Sequence, residues 1–389
     1  MIHPLYWRLS RFYFFYYFFV GLFVPYWGLY LQSKSFTAFQ IGVLLSLFQI
    51  SRIFAPNFWG WLADHTNKRA RWIRLASFIG CLGYIGIFWA DSFFLIFLVM
   101  MSMSLFTSST IPLAESLTLS HLASTNGSYS NIRLWGSVGF IIASFFLGIL
   151  IDKYSVTIIV WALLLTQLII LFLSFSVPDK KFELIGDTKR SIWKILKKPE
   201  VISLLIGCAL MVSSHGLLYN FYSIFLKEQN YSSFLIGLLW SIGVIFEIFI
   251  FILMPKILGK VNLKEVLLIS LFLAVIRFFL IGYYVDILWV LILAQILHAA
   301  TFGSFHVVSV ELVSNHFNRE HHSRGQSIYN SITYGLGGTI GGLGGGYMID
   351  QYGAASTFML SSIFPLIGFM VIFFGLKNTK KSGSKNIYN

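Results

Sequence analysis

The sequence predicts an all-α membrane protein of about twelve transmembrane helices in two six-helix repeats. The first observation is composition: 57% of the 389 residues are hydrophobic, 18% aromatic and only 11% charged, with a mean hydropathy of +0.77. Water-soluble chains carry about 25% charged residues, so a surface this poor in charge must face lipid. The second is run length. The apolar stretches continue over about 20 residues, enough to cross hydrocarbon as a helix, and lack the alternation over about 10 residues that marks a membrane barrel. The third is recurrence. Phe39, Gln40, Ile41 and Gly42 match Phe234, Leu235, Ile236 and Gly237 at an offset of 195. Gly148, Asp152 and Tyr154 match Gly346, Asp350 and Tyr352 at an offset of 198.

The first run, 12–32, follows Arg8 and Arg11 without a small-residue cleavage site, so it is expected to span rather than be removed. The second, 39–63, carries Arg52 at mid-depth and ends in a polar, basic loop. The third, 73–90, starts behind that loop. The fourth, 93–119, holds Glu115 near its end, the fifth, 132–151, starts at Arg133, and the sixth, 156–177, has no charge. A polar linker occupies 178–199. The second set is 200–226 with His215, 234–258 with Glu247, 265–284 with Arg277, 287–313 with His298 and Glu311, 326–349, and 355–376. In the eleventh run the glycines of 335–346 provide small faces on which helices pack closely. The expected organisation is a bundle over 1–177, a cytoplasmic linker over 178–199, a second bundle over 200–377 and a cytoplasmic tail over 378–389. Two six-helix halves joined by a charged linker are the trace expected of a parallel-repeat transporter.

The formal charge of +13 does not point to nucleic acid, because the cations lie in loops between apolar runs. One set of loops, together with both termini, holds 23 of the 28 Lys and Arg, the opposite loops hold three, and two lie within helices. That bias places both termini in the cytoplasm.

Charged groups at mid-bilayer cost roughly 2.5–3.5 kcal/mol on insertion scales, so each needs a partner or a wet cavity. The repeat offset carries Arg52 onto position 247, so Arg52 and Glu247 sit at equivalent depths in the two halves. They are candidates for a pair across a central cavity, serving substrate or proton. The alternative is a static pair within one half, such as Glu247 with Arg277. Glu115 and Glu311 are also repeat mates, each near the cytoplasmic end of its helix and close in sequence to Arg133 and Arg324. Inner-face ion pairs are their expected role. His215 and His298 fall near mid-depth, and histidine changes charge near neutral pH. Gln295, His298 and Phe302 are spaced to share a helix face, with His306 at its edge. A hydrogen-bonding core role and a proton-carrying role both remain open for the two histidines.

Other chemistries find no support. Cys81 and Cys208 both lie inside apolar runs, as small core residues rather than a disulfide or metal framework. His316, His321 and His322 form a single cluster, whereas a di-iron membrane site needs several, so a solvated loop is expected and no metal. No G-x-x-x-x-G-K-[ST] phosphate loop occurs, and no cofactor is implied.

With these residues in hand, the chain resembles the major facilitator superfamily. Gly60, Asp64, Lys68 and Arg69 fit its G-x-x-x-D-x-x-x-[KR]-[KR] loop between the second and third helices, with departures at His65 and Asn67. The matching loop of the second half, 254–264, keeps only basic character. Stretches 52–61, 133–140, 214–222, 239–247 and 295–303 look like the phenylpropionate-permease-like branch, which includes relatives of the lactose permease and nucleoside–proton symporters.

The resemblance implies a proton-coupled secondary transporter of the bacterial inner membrane, working by alternating access on a small organic solute. An aromatic or other carboxylate is favoured, with sugars, nucleosides or export as alternatives and a non-transporting receptor as a different class. It implies cavity-lining first, fourth, seventh and tenth helices, with Tyr26, Tyr30, His215, Tyr219, Asn220, Gln295 and His298 as candidate cavity residues flanked by Arg52 and Glu247. Gly60, Asp64, Lys68, Arg69, Glu115, Arg133, Glu311 and Arg324 are the candidate gating residues. The expected partners are substrate, proton and the lipid bilayer, for a chain acting as a monomer.

Overall fold

The computed structural model describes residues 4–122, 128–180, 192–258, 260–317 and 321–377. Much of the expected linker, the tail beyond Lys377 and part of the histidine-bearing loop lie outside the described residues. Within them the structure is helical throughout, and nine stretches are long and apolar enough to cross a bilayer.

In chain order the helices are α1 (Pro4–Ser33), α2 (Ala38–Thr66), α3 (Arg69–Ile87), α4 (Phe93–Thr107), α5 (Thr110–Leu122), α6 (Tyr129–Lys153), α7 (Ile158–Ser174) and α8 (Trp193–Leu196). They continue as α9 (Pro199–Glu228), α10 (Ser233–Leu258), α11 (Leu263–Tyr283) and α12 (Leu288–His298). After these come α13 (Phe305–His316), α14 (His322–Asn330), α15 (Gly338–Ser361) and α16 (Ile363–Gly375). Wide π-helical turns, Ala299–Ser304 and Ser331–Gly337, join α12 to α13 and α14 to α15.

The run limits expected from sequence shift for local reasons. α1 starts at Pro4, where proline suits a first helical turn because its missing N–H would have no partner there. α2 opens on a capping box: Thr37 accepts from Gln40 N at 3.2 Å, and the Gln40 side chain accepts from Thr37 N at 3.0 Å. The fourth run divides between α4 and α5 at Ser108 and Ser109. Inside α15, Gly353 takes φ 78°, a left-handed conformation that costs a side-chain-bearing residue dearly, and the helix breaks there. α7 is only 17 residues long. α3 carries three arginines in its first six residues.

The chain divides into two compact units. The first gathers α1 to α7 with Tyr231–Ser241, and the second gathers α8, α9, α11 to α16 and α10 from Ile242 onward. In the first, Leu9, Phe12, Tyr13, Ala63, Ile73, Leu113, Leu117 and Ile132 form a core from α1, α2, α3, α5 and α6. Lipid is as apolar as these side chains, so this core is held by close packing rather than by exclusion of water. α1 and α6 approach so nearly that a Cβ on Gly21 would lie 2.5 Å from the carbonyl oxygen of Phe140. In the second unit α9 is central, burying 72% of its most apolar stretch against 33% for α10. A Cβ on Gly337 would sit 2.5 Å from the Ala209 carbonyl oxygen of α9, so the glycine-rich stretch is a packing face. Large apolar side chains such as Phe172, Trp289 and Phe374 point outward on both units, as lipid requires. Cys81 and Cys208 are both free and buried.

Candidate functional site

The basic loop between α2 and α3 is built on one left-handed residue. Asn67, at φ 52°, ends α2, and α3 starts two residues later. The reversal brings Asp64 of α2 against Arg69 of α3, and the pair is joined by a short ion-paired hydrogen bond with Arg69 buried. Trp72 Nε1 donates to Thr66 Oγ1 at 2.9 Å, tying the two helix ends a second time. The segment after α7 is bound to the same corner. Ala70 N donates to Asp179 at 2.6 Å, Arg74 donates to the carbonyls of Ser174 and Val177, and Lys180 Nζ donates to Ser120 O at 2.6 Å. Lys68 is exposed. A Cβ on Gly60 would meet nothing within 4 Å, so close packing does not demand glycine there.

Near the same end of this unit, Tyr129 Oη donates to Glu115 at 2.9 Å, and the Arg133 guanidinium stands 3.7 Å over the Tyr17 ring. Cation–π contact of this kind suits an arginine in a dry setting. Arg52 is exposed on α2, donating weakly to Gln49 at 3.4 Å. Tyr26 and Tyr30 are both buried. Tyr26 Oη faces the carbonyls of Ser144 at 2.6 Å and Ser233 at 3.1 Å, while Tyr30 stacks on Trp27 at 4.8 Å. Asp152 accepts from the backbone N–H of Ser233 and of Phe234, both at 2.8 Å, capping the start of α10.

The second unit holds the other cluster, around Arg277 of α11. Its guanidinium is fully buried and lies over the Phe278 ring at 5.6 Å, and each of its hydrogen bonds among the described residues ends on an acceptor. Nε donates to Ala294 O at 2.7 Å, Nη1 to His215 Nε2 and Thr301 Oγ1, each at 3.2 Å, and Nη2 to Gln295 Oε1 at 3.5 Å. Among the described residues no carboxylate lies within ion-pair distance of it, so the expected alternative of Glu247 with Arg277 does not form. Glu247 instead faces His298, Oε2 to Nε2, at 3.7 Å. That separation is too long for a hydrogen bond but close enough for attraction once the ring is protonated.

Arginine only donates, and this fixes its neighbours. His215 must accept through Nε2, leaving Nδ1–H to donate to Met211 O at 3.0 Å. Both ring nitrogens are thereby committed in the neutral tautomer, and His215 is a wall of the cluster. Gln295 must turn Oε1 toward Arg277, which leaves its amide nitrogen as the outward group. Gln295 Nε2, His298 Nδ1 and Asn220 Nδ2 are buried atoms with no hydrogen-bond partner among the described residues. An unsatisfied buried donor costs about 1–3 kcal/mol, which marks these as places for a ligand or water.

An aromatic column runs alongside. His298 stacks on Phe302 at 5.2 Å and 5°, and Phe302 on His306 at 6.2 Å and 10°. Tyr219 meets Phe302 edge-on at 6.1 Å. His306 Nδ1 and Tyr334 Oη lie 2.8 Å apart, linking the two helices that carry π-helical turns. Such turns recur at functional sites. Toward α14, Gln326 Nε2 donates to Val310 O at 3.1 Å, and Glu311 and Arg324 sit half-buried on α13 and α14.

Of the sequence-predicted residues, the fold thus gathers His215, Tyr219, Glu247, Gln295 and His298 into one cluster. Arg277, Thr301 and Tyr334 were not among the expected site residues. The signal for Arg277 was its charge within an apolar run; Thr301 lay within the family-like stretch 295–303, and nothing in the sequence marked Tyr334.

The comparisons agree with this architecture. Residues 6–360 match the family described as MFS_1 like. The chain belongs to that family. It is 29% identical over 334 residues to the probable 3-phenylpropionic acid transporter of Escherichia coli (strain K12), covering 84% of this chain and 86% of that one. It is 24% identical to the maltose permease of Geobacillus stearothermophilus, covering 96% and 95%. The fold is similar to that of the nucleoside transporter NupG, with a TM-score of 0.84, 19% identity and coverage of 96% and 100%. The chain is a multi-pass membrane protein and a secondary transporter of the major facilitator superfamily, not an enzyme. The resemblance read from Gly60, Asp64, Lys68 and Arg69 is thereby met.

Proposed function

We propose that this chain is a proton-coupled symporter of a small organic carboxylate, with twelve spans in two six-helix halves. The observation that carries the reading is the His298–Glu247 contact at 3.7 Å beside buried donors that lack partners. A base and an acid this close can take up one proton between them, and a substrate that bonds the buried donors changes the field which that proton meets. Loading and protonation are then coupled because each lowers the cost of the other in a low-dielectric site. The relative named for 3-phenylpropionic acid supports an aromatic carboxylate as substrate.

In this reading the exposed Arg52 attracts the anion on entry, while Tyr219, Asn220, Gln295 and His298 contact it. The Asp64–Arg69 corner, with Lys68, Glu115, Arg133, Glu311 and Arg324, controls closure at the cytoplasmic side. Both termini are cytoplasmic, the membrane is the bacterial inner membrane, and the monomer is the working unit. The charge bias of the loops supports that orientation.

The test uses the full chain in sealed proteoliposomes with a panel of 3-phenylpropionate, maltose and uridine. An acid-outside pH step is expected to drive accumulation of the acid, abolished by a protonophore and rising as external pH falls. Glu247→Gln should lose pH-driven accumulation while keeping substrate exchange. Undiminished gradient-driven uptake in that variant refutes the proton role.

A further inference from the structure

We infer that Arg277, without touching the substrate, sets the polarity of this cluster and makes it a site for a monocarboxylate carried with one proton. The inference rests on the transport reading above and deepens it.

A side chain that only donates forces its neighbours to accept. Arg277 takes the oxygen of Gln295, Nε2 of His215, Oγ1 of Thr301 and the Ala294 carbonyl. The acceptor atoms of these side chains are thereby turned inward, toward the arginine. What remains in this cluster without a partner among the described residues is Gln295 Nε2, with His298 Nδ1. The amide nitrogen is an obligate donor, and the imidazole atom becomes one when the ring is protonated. A ligand that satisfies them must bring acceptors, and a carboxylate brings two oxygens with about four lone-pair sites.

Charge gives the second half. Arg277 contributes one positive charge with no carboxylate within ion-pair distance among the described residues, and Glu247, beside His298, contributes one negative charge. The titratable and charged groups packed around that pair include His215, Tyr219 and Tyr222 from α9, Arg277 from α11, and His306 from α13, itself bonded to Tyr334. His215 is committed as a neutral acceptor. The empty cluster is therefore balanced. A monocarboxylate adds one negative charge, and one proton on Glu247 or His298 restores the balance. A neutral solute with a proton, or an acid without one, leaves a net charge in a site where isolated charge is expensive. Translocation of one proton with one monoanion moves no net charge.

The experiment compares 3-phenylpropionate with its uncharged isostere 3-phenylpropionamide in proteoliposomes of the full chain, using Arg277→Gln, Arg277→Lys and Gln295→Glu. Arg277→Gln is expected to raise KM for the acid at least tenfold while KM for the amide stays within about twofold, and Arg277→Lys to fall between it and the parent. Gln295→Glu keeps a partner for Arg277 and so preserves folding, but removes the outward donor, and should raise the acid KM by a similar factor. A purely structural role would lower Vmax for both compounds and leave the ratio of their KM values unchanged, and that result overturns the inference. Uptake of the acid should follow a pH step and ignore a potassium–valinomycin potential. Potential-driven uptake overturns the one-to-one charge balance. If only maltose or uridine is accumulated with protons, the carboxylate assignment fails while the symport reading stands. If folded protein accumulates nothing under a pH step, the symport reading itself fails.

Discussion

Removing the carboxylate of Asp152 should unfasten the first turn of α10, and the size of the effect follows from the hydrogen bonds. The two carboxylate oxygens accept from Ser233 N and Phe234 N at 2.8 Å each, at a helix start where those N–H groups have no intrahelical partner. Losing an N-terminal cap costs about 0.5–2 kcal/mol, and hydrogen bonds to a charged group sit at the upper end of the usual range. For Asp152→Ala we take about 2 kcal/mol, because the Phe234 bond is exposed and water recovers part of it. That corresponds to roughly 30-fold faster opening of the turn. Asp152→Asn keeps an acceptor oxygen but loses the charge, and should cost about 1 kcal/mol, or roughly fivefold. Hydrogen exchange read by mass spectrometry on peptides covering 228–241 measures this directly, with peptides from the middle of α6 as internal reference. Exchange in Asp152→Ala within twofold of the parent would refute the capping account, as would equal rates for the Ala and Asn variants.

Gly21→Val is expected to lower Tm and the folded yield, because its Cβ would sit 2.5 Å from the Phe140 carbonyl oxygen and no rotamer moves a Cβ. Overpacking of this kind costs about 1–3 kcal/mol, and an unchanged melting curve would contradict the close approach of α1 and α6. His306→Phe and Tyr334→Phe each remove one partner of the 2.8 Å contact between the helices that carry the wide turns. Each should cost about 1 kcal/mol. The double variant should cost little more than either single one in denaturation, and full additivity would show that the two side chains are not coupled.

The spans and the corner at Asp64 and Arg69 were legible because they depend on quantities that a sequence carries locally. Run length and low charge report the solvent, and the spacing of Gly60, Asp64 and Lys68 reports a tight reversal between helices. Partnership inside the second unit was not legible. Whether Glu247 meets Arg277 or His298 depends on rotation about three helix axes, and an apolar run of 20 residues leaves that rotation open. His306 shows the limit well. Steps of 100° put it at the edge of the His298 face, yet the rings of His298, Phe302 and His306 stack within 10° of parallel. The turn Ala299–Ser304 is wider than four residues, so positions four apart come almost into line. The helix break at Gly353 was legible in part: the runs expected over 326–349 and 355–376 stop on either side of it, with Asp350 and Gln351 between them, and only the left-handed angle at Gly353 needed the structure. The hydroxyl of Tyr26, a candidate cavity residue, faces two backbone carbonyls, a partnership that no local pattern in the sequence encodes.

The wide turns also bear on how this chain is compared with others. A segment bonded with a five-residue reach holds one more residue than an ordinary turn over nearly the same rise. A cousin that lacks the surplus residue would close an ordinary turn over the same rise and keep its phase, so that each position beyond 304 here would answer to the cousin's residue one place earlier. Column-by-column alignment past Ser304 and Gly337 would then pair residues that face different neighbours. Homology beyond those points is better counted by facing than by number.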